Sequence, residues 1–377
     1  MKKLILILAA TLIMNVSVCS AAEENTQLNV KASILVEAST GEVLSENNAD
    51  EQLPIASVTK IMTMLLIMER IDNGEMALTD MVTASENANS YGGSTMFLET
   101  GEQLSVNDML KGIAVASAND GCVAMAEHIA GNEQDFVAMM NARAEELGMT
   151  NTHFVNSNGL DEDGHYSSAR DVAIMSRELI KHKTIFDYTT IWMDSLRGGK
   201  FELANTNKLI RYYNGANGLK TGSTTKAGCC LSATAERDGM ELIAVVLGAE
   251  DTQTRFASAS SLLNYGFANY SVKKQIEQGE PMGTVKVSRG KAESVNAEAA
   301  EGYSVLMKKN DKSEIEKNVK MKNKISAPVS AGDKLGEIIF TENGEEVKKI
   351  DIVASESVEK KGFCLILRDL LYGLLHI

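Results

Sequence analysis

The feature that most limits how this chain can fold is a change of hydrophobic rhythm near Tyr270. Upstream, apolar residues recur at helical spacing over 57–72 (Ile61, Met64, Leu65, Met68), and Asn73-Gly74 supplies a stop. Further helices are predicted over 106–116, 121–130, 133–147, 169–181 and about 254–265. A hairpin is predicted over 31–46, turning at Ser39-Thr40-Gly41. Strands return over 218–222, 228–236 and 240–248, with Arg237-Asp238-Gly239 folding the second of these onto the third. Downstream of Tyr270 the helical spacing disappears. Short Val-, Ile- and Lys-rich segments over 283–288, 304–308, 334–340 and 347–353 alternate with Gly, Asn and Asp turns. The expected architecture is therefore α+β, an antiparallel sheet with helices over 23–269, followed by a small all-β domain over 270–360. That second module fits a spacer or partner contact as well as a stabilising appendage.

Both ends of the chain read as something other than core. Lys2 and Lys3 precede a mostly apolar run to Val18, and Ser20-Ala21-Ala22 offers small residues for cleavage. Residues 1–22 are thus read as an export signal, too short for a comfortable membrane span. At the other end, over 361–377, Phe363, Ile366, Leu367, Leu370, Leu371, Leu374 and Ile377 form one apolar stripe, with Arg368, Asp369 and His376 opposite. A helix of that length lies in a membrane interface rather than across it. The expected location is the outer face of the cytoplasmic membrane, reached by export and held peripherally by this helix. A formal charge of −14 argues against nucleic acid as a partner. After cleavage Cys122, Cys229, Cys230 and Cys364 remain, two adjacent and two isolated, which reads as unpaired thiols rather than a disulfide framework.

Three short motifs carry chemistry: Ser57-Val58-Thr59-Lys60, Ser117-Ala118-Asn119 and Lys220-Thr221-Gly222. Singly they are weak. Ser-x-x-Lys also occurs at Ser223, Ser271, Ser288 and Ser357, and Ser-x-Asn at Ser45, Ser85 and Ser105. Their order and placement discriminate. Ser57 falls at a helix start, where free N–H groups favour developing negative charge. Lys60 follows one turn later on the same face. A serine hydroxyl needs a neighbouring base, and lysine serves only when burial or another cation lowers its pKa, for which Lys220 is a candidate. Against this stands an ordinary N-cap with a solvated lysine. Ser117 and Asn119 lie between two helices, where a hydroxyl can relay a proton and an amide can bind substrate, or where both simply make a turn. Lys220 and Thr221 can hold an anion, and Gly222 lets a substrate backbone approach; the plain alternative is an edge strand with a solvent-facing lysine.

Together the motifs resemble the signature of penicillin-binding proteins and class A β-lactamases. The surrounding residues narrow the likeness to low-molecular-mass, serine-type D-alanyl-D-alanine carboxypeptidases. Pro54-Ile55-Ala56 ahead of Ser57, Thr152-His153-Phe154-Val155-Asn156, Gly159-Leu160 and His165-Tyr166-Ser167 are similar to that family's nucleophile segment and central loop. Asn205-Thr206-Asn207-Lys208-Leu209 and Gly218-Leu219 resemble its Gram-positive branch. The resemblance implies a β-lactamase/transpeptidase-like fold and a peptidoglycan pentapeptide substrate. It assigns Ser57 as nucleophile and Lys60 as proton acceptor, with Ser117 and Asn119 completing the network. It gives the backbone N–H groups of Ser57 and Ser223 as the oxyanion hole, and Lys220 and Thr221, helped by Arg255, as the carboxylate site. β-Lactam antibiotics would be trapped as acyl-enzymes. Thr206 stands where some relatives carry arginine, which leaves the carboxylate partner open.

Other chemistries fail on residues. Glu145 and Glu146 are not followed four residues later by Asn, the pair that class A β-lactamases use. The five histidines include no His-x-x-x-His, so neither a metal nor a cofactor is expected. His153 and His165 read as residues that shape the loop. An endopeptidase or transpeptidase would share all three motifs, whereas intact Ser57, Lys60, Ser117 and Lys220 count against a penicillin-binding sensor without turnover.

Overall fold

The computed structural model describes residues 28–311 and 313–363. The expected signal over 1–22, Cys364 and all but the start of the terminal stripe lie outside those residues. Five antiparallel strands form the main sheet: β1 (Ala32–Glu37), β2 (Val43–Asn47), β3 (Ala216–Thr224), β4 (Gly228–Arg237) and β5 (Met240–Ala249). Their spatial order is β2-β1-β5-β4-β3. The β4–β5 turn is the expected one, with Asp238 and Gly239 at φ 51 and 75, the left-handed pair that a two-residue hairpin requires.

β5 reads as a near-continuous apolar run because both faces of the sheet are covered. Successive side chains point to opposite sides, so Ile243, Val245 and Leu247 enter one core while Leu242, Ala244 and Val246 enter another. The second core is closed by α5 (Thr252–Asn269), capped by the Asp251 carboxylate, which accepts from the N–H of Thr254. The first holds α1 (Lys60–Asp72), α2 (Asn119–Ala130), α3 (Glu133–Glu146) and α4 (Ala169–Leu179). Every residue of α1 from Lys60 to Met68 is buried, so this helix runs through the middle of the domain. That position puts the first motif inside the protein.

Local departures from the sequence reading fall at the second and third motifs. The helix expected over 106–116 is α-helical only for Val106–Lys111, then widens into a π-turn at Gly112–Ala116 and stops at Ser117, φ 64. α2 starts at Asn119, two residues early, so Asn119 belongs to a helical first turn and not to a linker. Lys220-Thr221-Gly222 lies in the middle of β3 instead of opening it, on an edge strand as its plain alternative supposed.

Beyond α5 the described elements over 270–354 are all strands. Ile315–Met321, Lys334–Glu342, Glu345–Ala354, Ser294–Ala299, Pro281–Ser288 and Lys324–Ser326 form one sheet in that order. Val285, Leu335, Ile338, Phe340, Ile350 and Ile352 give it a core of its own. Tyr270–Ile276 pairs with Tyr303–Lys308. The unanticipated Ile315–Met321 is nearly all exposed, so it lacks the apolar alternation that reveals a strand.

The loop over 156–166 packs on the start of α1. Gly159 has φ 86, and a Cβ there would stand 1.9 Å from the Ala56 carbonyl oxygen. Gly159→Ala is therefore expected to lower unfolding free energy by about 2–4 kcal/mol in urea titration. Gly74→Ala, with φ 73 but open space around it, isolates the backbone strain and is expected to cost about 1 kcal/mol.

Candidate active site

Ser57 lies in a 3₁₀ turn, Ala56–Thr59, that leads into α1. The residue before it, Ala56, has φ 48, a left-handed conformation that costs energy for any residue with a side chain. Ser117 is the second such residue at the site. Strain just ahead of the first motif and at the opening of the second marks a geometry held by its surroundings.

Lys60 is 0% exposed and its Nζ lies among three oxygens from three segments. They are Ser57 Oγ at 2.8 Å, Asn119 Oδ1 at 2.7 Å and the carbonyl of Asn158 at 2.6 Å. The Asn119 amide is fixed in this sense because its Nδ2 donates to the Gly92 carbonyl at 2.8 Å. Burial pulls the Lys60 pKa down to about 8, against the opposing pull of Cys122 and Asp120. Two of its three neighbours only accept hydrogen bonds. A neutral Lys60 gives its two N–H groups to them, which leaves the nitrogen lone pair facing the Ser57 hydroxyl. That is the geometry of a nucleophile and its base.

Lys220 is also buried, which excludes the solvent-facing alternative. Its pKa lies well below the usual lysine value, first through burial and then through the charge of Lys60. Thr221 Oγ1 meets Thr206 Oγ1 at 2.7 Å, and the Thr206 N–H donates to the carbonyl of Val115, two residues before Ser117. Thr206 thus joins β3 to the second motif. Gly222 differs from expectation: the space a side chain would take is filled by the protein itself. A Cβ there would lie 2.8 Å from Ile55 O and 2.9 Å from Ser57 N. Its bareness lets β3 close on the nucleophile turn, not only on a substrate. Arg255 donates to the carbonyls of Gly222 at 3.1 Å and Cys230 at 3.4 Å, which secures the strand behind the site. Ser223 is exposed at the next position.

Neither Asn158, whose contribution is a backbone carbonyl, nor Glu133 stands out in the sequence. The Glu133 carboxylate accepts from Tyr91 Oη and from the N–H and hydroxyl of Ser157, tying together the two loops that hold Asn119 and Lys60. An Asn-rich loop was the only signal available. His153 Nδ1 donates to the Gly164 carbonyl and His165 Nε2 bonds Thr59 Oγ1, so both shape the loop as expected. Cys122, Cys229 and Cys230 are buried free thiols.

A serine whose partner is a buried lysine, set on a helix between an antiparallel edge strand and a Ser-x-Asn turn, defines an active-site-serine hydrolase that does without histidine. Comparison with known proteins agrees. Residues 19–251 match the family model described as D-alanyl-D-alanine carboxypeptidase, and residues 270–360 match that for the penicillin-binding protein 5 C-terminal domain. D-alanyl-D-alanine carboxypeptidase DacF of Bacillus subtilis is 45% identical over 342 residues, 90% of this chain and 88% of its own. Penicillin-binding protein 5 of Haemophilus influenzae superposes with a TM-score of 0.71 at 31% identity, covering 89% of this chain and 98% of that one. An ampicillin-bound penicillin-binding protein D2 of Listeria monocytogenes gives 0.59 at 33% identity over 64% of this chain and 99% of that one. The chain belongs to the D-alanyl-D-alanine carboxypeptidase family, peptidase S11, and is an enzyme of that serine-hydrolase class.

If Lys60 is the base, only its neutral form works. Acylation by a fluorescent penicillin should rise about tenfold per pH unit below pH 8 and level off above it. Lys60→Arg, charged throughout this range, is expected to lose acylation at every pH.

Proposed function

We propose that the protein trims the terminal D-alanine from peptidoglycan pentapeptides through an acyl-enzyme on Ser57. The observation that carries this is the buried Lys60 amine 2.8 Å from Ser57 Oγ, held there by Asn119 Oδ1 and the Asn158 carbonyl. Ser57 Oγ attacks the carbonyl of the penultimate D-alanine while its proton passes to Lys60. The N–H groups of Ser57 and Ser223 receive the developing oxyanion, each worth about 3 kcal/mol in the transition state. The amide C–N bond then breaks, and the departing D-alanine amine takes up a proton through Ser117. Lys220 and Thr221 hold the substrate's terminal carboxylate, with Arg255 acting through the Gly222 carbonyl. Water attacks the acyl-enzyme and releases the shortened peptide. A β-lactam enters by the same attack and stays attached.

The same reading places the enzyme outside the cell, at the outer face of the cytoplasmic membrane. Support comes from the sequence of residues 1–22 and from the stripe over 363–377. Phe363, where that stripe starts, is 77% exposed, and no helix among the described residues is long and apolar enough to cross a membrane.

Incubation with a pentapeptide ending in D-Ala-D-Ala should yield the tetrapeptide and free D-alanine by mass spectrometry. A cross-linked or exchanged product in its place would make the enzyme a transpeptidase. Ser57→Ala should abolish covalent labelling by a fluorescent penicillin, and persistent labelling would remove Ser57 from its role. Deleting residues 363–377 should move the protein from sedimented membranes to the soluble fraction without changing its rate on the pentapeptide.

A further inference from the structure

The peptide unit between Ala56 and Ser57 has two ends. Its N–H is one of the proposed oxyanion donors, and its C=O is the Ala56 carbonyl. Because the unit is planar and trans, the two point in opposite directions, and fixing one aims the other. The carbonyl faces the loop over 156–166, where Gly159 has no side chain to obstruct it. The nitrogen faces β3, where Gly222 is likewise bare. Thr59 Oγ1 donates to the Ala56 carbonyl at 2.8 Å. Thr59 Oγ1 is in turn 2.8 Å from His165 Nε2.

The histidine's proton can be placed. The Val155 N–H donates to His165 Nδ1 at 3.1 Å, so Nδ1 carries the lone pair and Nε2 carries the hydrogen. A continuous chain results, from His165 Nε2–H to Thr59 Oγ1–H to the Ala56 carbonyl, and through the peptide bond to the Ser57 N–H. Burial, with His153 adding to it, holds the His165 pKa near 4, so the ring stays neutral with this tautomer at neutral pH. Hydrogen bonds in series polarise one another, and a carbonyl that accepts a good one makes its own N–H a better donor. Meanwhile Ala56 sits at φ 48, a conformation that relaxes unless held.

We infer that His165 is a positioning residue for catalysis: acting through Thr59, it holds the strained Ala56–Ser57 peptide so that the Ser57 N–H is aimed at the oxyanion. His165 touches no substrate on this account. The inference rests on the proposed role of Ser57 and its N–H.

The test is the concentration dependence of acylation by a fluorescent penicillin, which separates the maximal acylation rate from half-saturation. Thr59→Val and His165→Ala should each lower the maximal rate about tenfold or more, with half-saturation shifting less than about threefold. The double variant should be no slower than the worse single one, since both break one chain. His165→Gln offers an N–H to Thr59 and an oxygen to Val155, and should recover most of the rate. Wild-type maximal rate in either single variant, losses that multiply in the double, or a loss confined to half-saturation would each overturn the inference. Thr59→Val changes a hydroxyl to a methyl of the same shape, so it decides the matter alone should His165→Ala not fold. Ser57→Ala run alongside separates the two claims. If it still labels, the nucleophile is misassigned; if it is silent while Thr59→Val reacts at full rate, only the role of His165 falls.

Discussion

The structure is organised around the burial of one amine. A lysine inside an apolar helix bundle is costly unless its nitrogen finds partners, and Lys60 finds them on three segments far apart in sequence. Lys60 itself is fully buried, so these partners stand in for the water an exposed ammonium would bind. Each partner needs its own support. Asn119 is turned by Gly92, Asn158 is held by the loop that Glu133 fastens through Ser157, and Ser57 is set by the turn that precedes α1. The loops around the site are thus less free than their polar composition suggests.

The nucleophile turn is gripped from two sides by backbone. Gly159 approaches the Ala56 carbonyl and Gly222 approaches the Ser57 nitrogen, each closer than any side chain would permit. Such contacts leave little play, which suits a turn containing a residue at positive φ. Arg255 adds to the grip indirectly, since its guanidinium bonds the Gly222 carbonyl on the far side of the same strand. Preorganisation of this kind places donors before the reaction begins, so that no reorganisation is needed as charge develops.

Sequence periodicity was informative where one physical cause dominated. The β4–β5 hairpin was legible because Asp238-Gly239 can hardly be anything but a tight turn, and α1 because its apolar spacing is unbroken. The start of Asn119–Ala130 and the π-turn before Ser117 were not, because they are set by Lys60 reaching Asn119 and by packing, not by propensity. The strand Ile315–Met321 stayed hidden because its side chains are mostly exposed and its apolar residues do not alternate. At the site, side-chain chemistry was readable and backbone chemistry was not. Ser57, Lys60 and Asn119 announce themselves by type, whereas a carbonyl such as that of Asn158 has no letter of its own. The bareness of Gly222 is legible, but the backbone of the nucleophile turn that also depends on it is not.

The nearness of two lysines carries the last step. Each is buried, and the charge on Lys60 is among the causes that lower Lys220. In a medium of low effective dielectric two ammonium groups repel, so charge on one disfavours charge on the other. Without substrate, Lys60 has the better claim to a proton, because three oxygens surround it. On the proposed reading, a substrate carboxylate arriving beside Lys220 and Thr221 shifts that claim. It favours an ammonium at Lys220, and that new charge pushes Lys60 further toward the neutral form a base requires. Binding the right terminus and readying the base then become one electrostatic event, and a ligand without the carboxylate would gain neither.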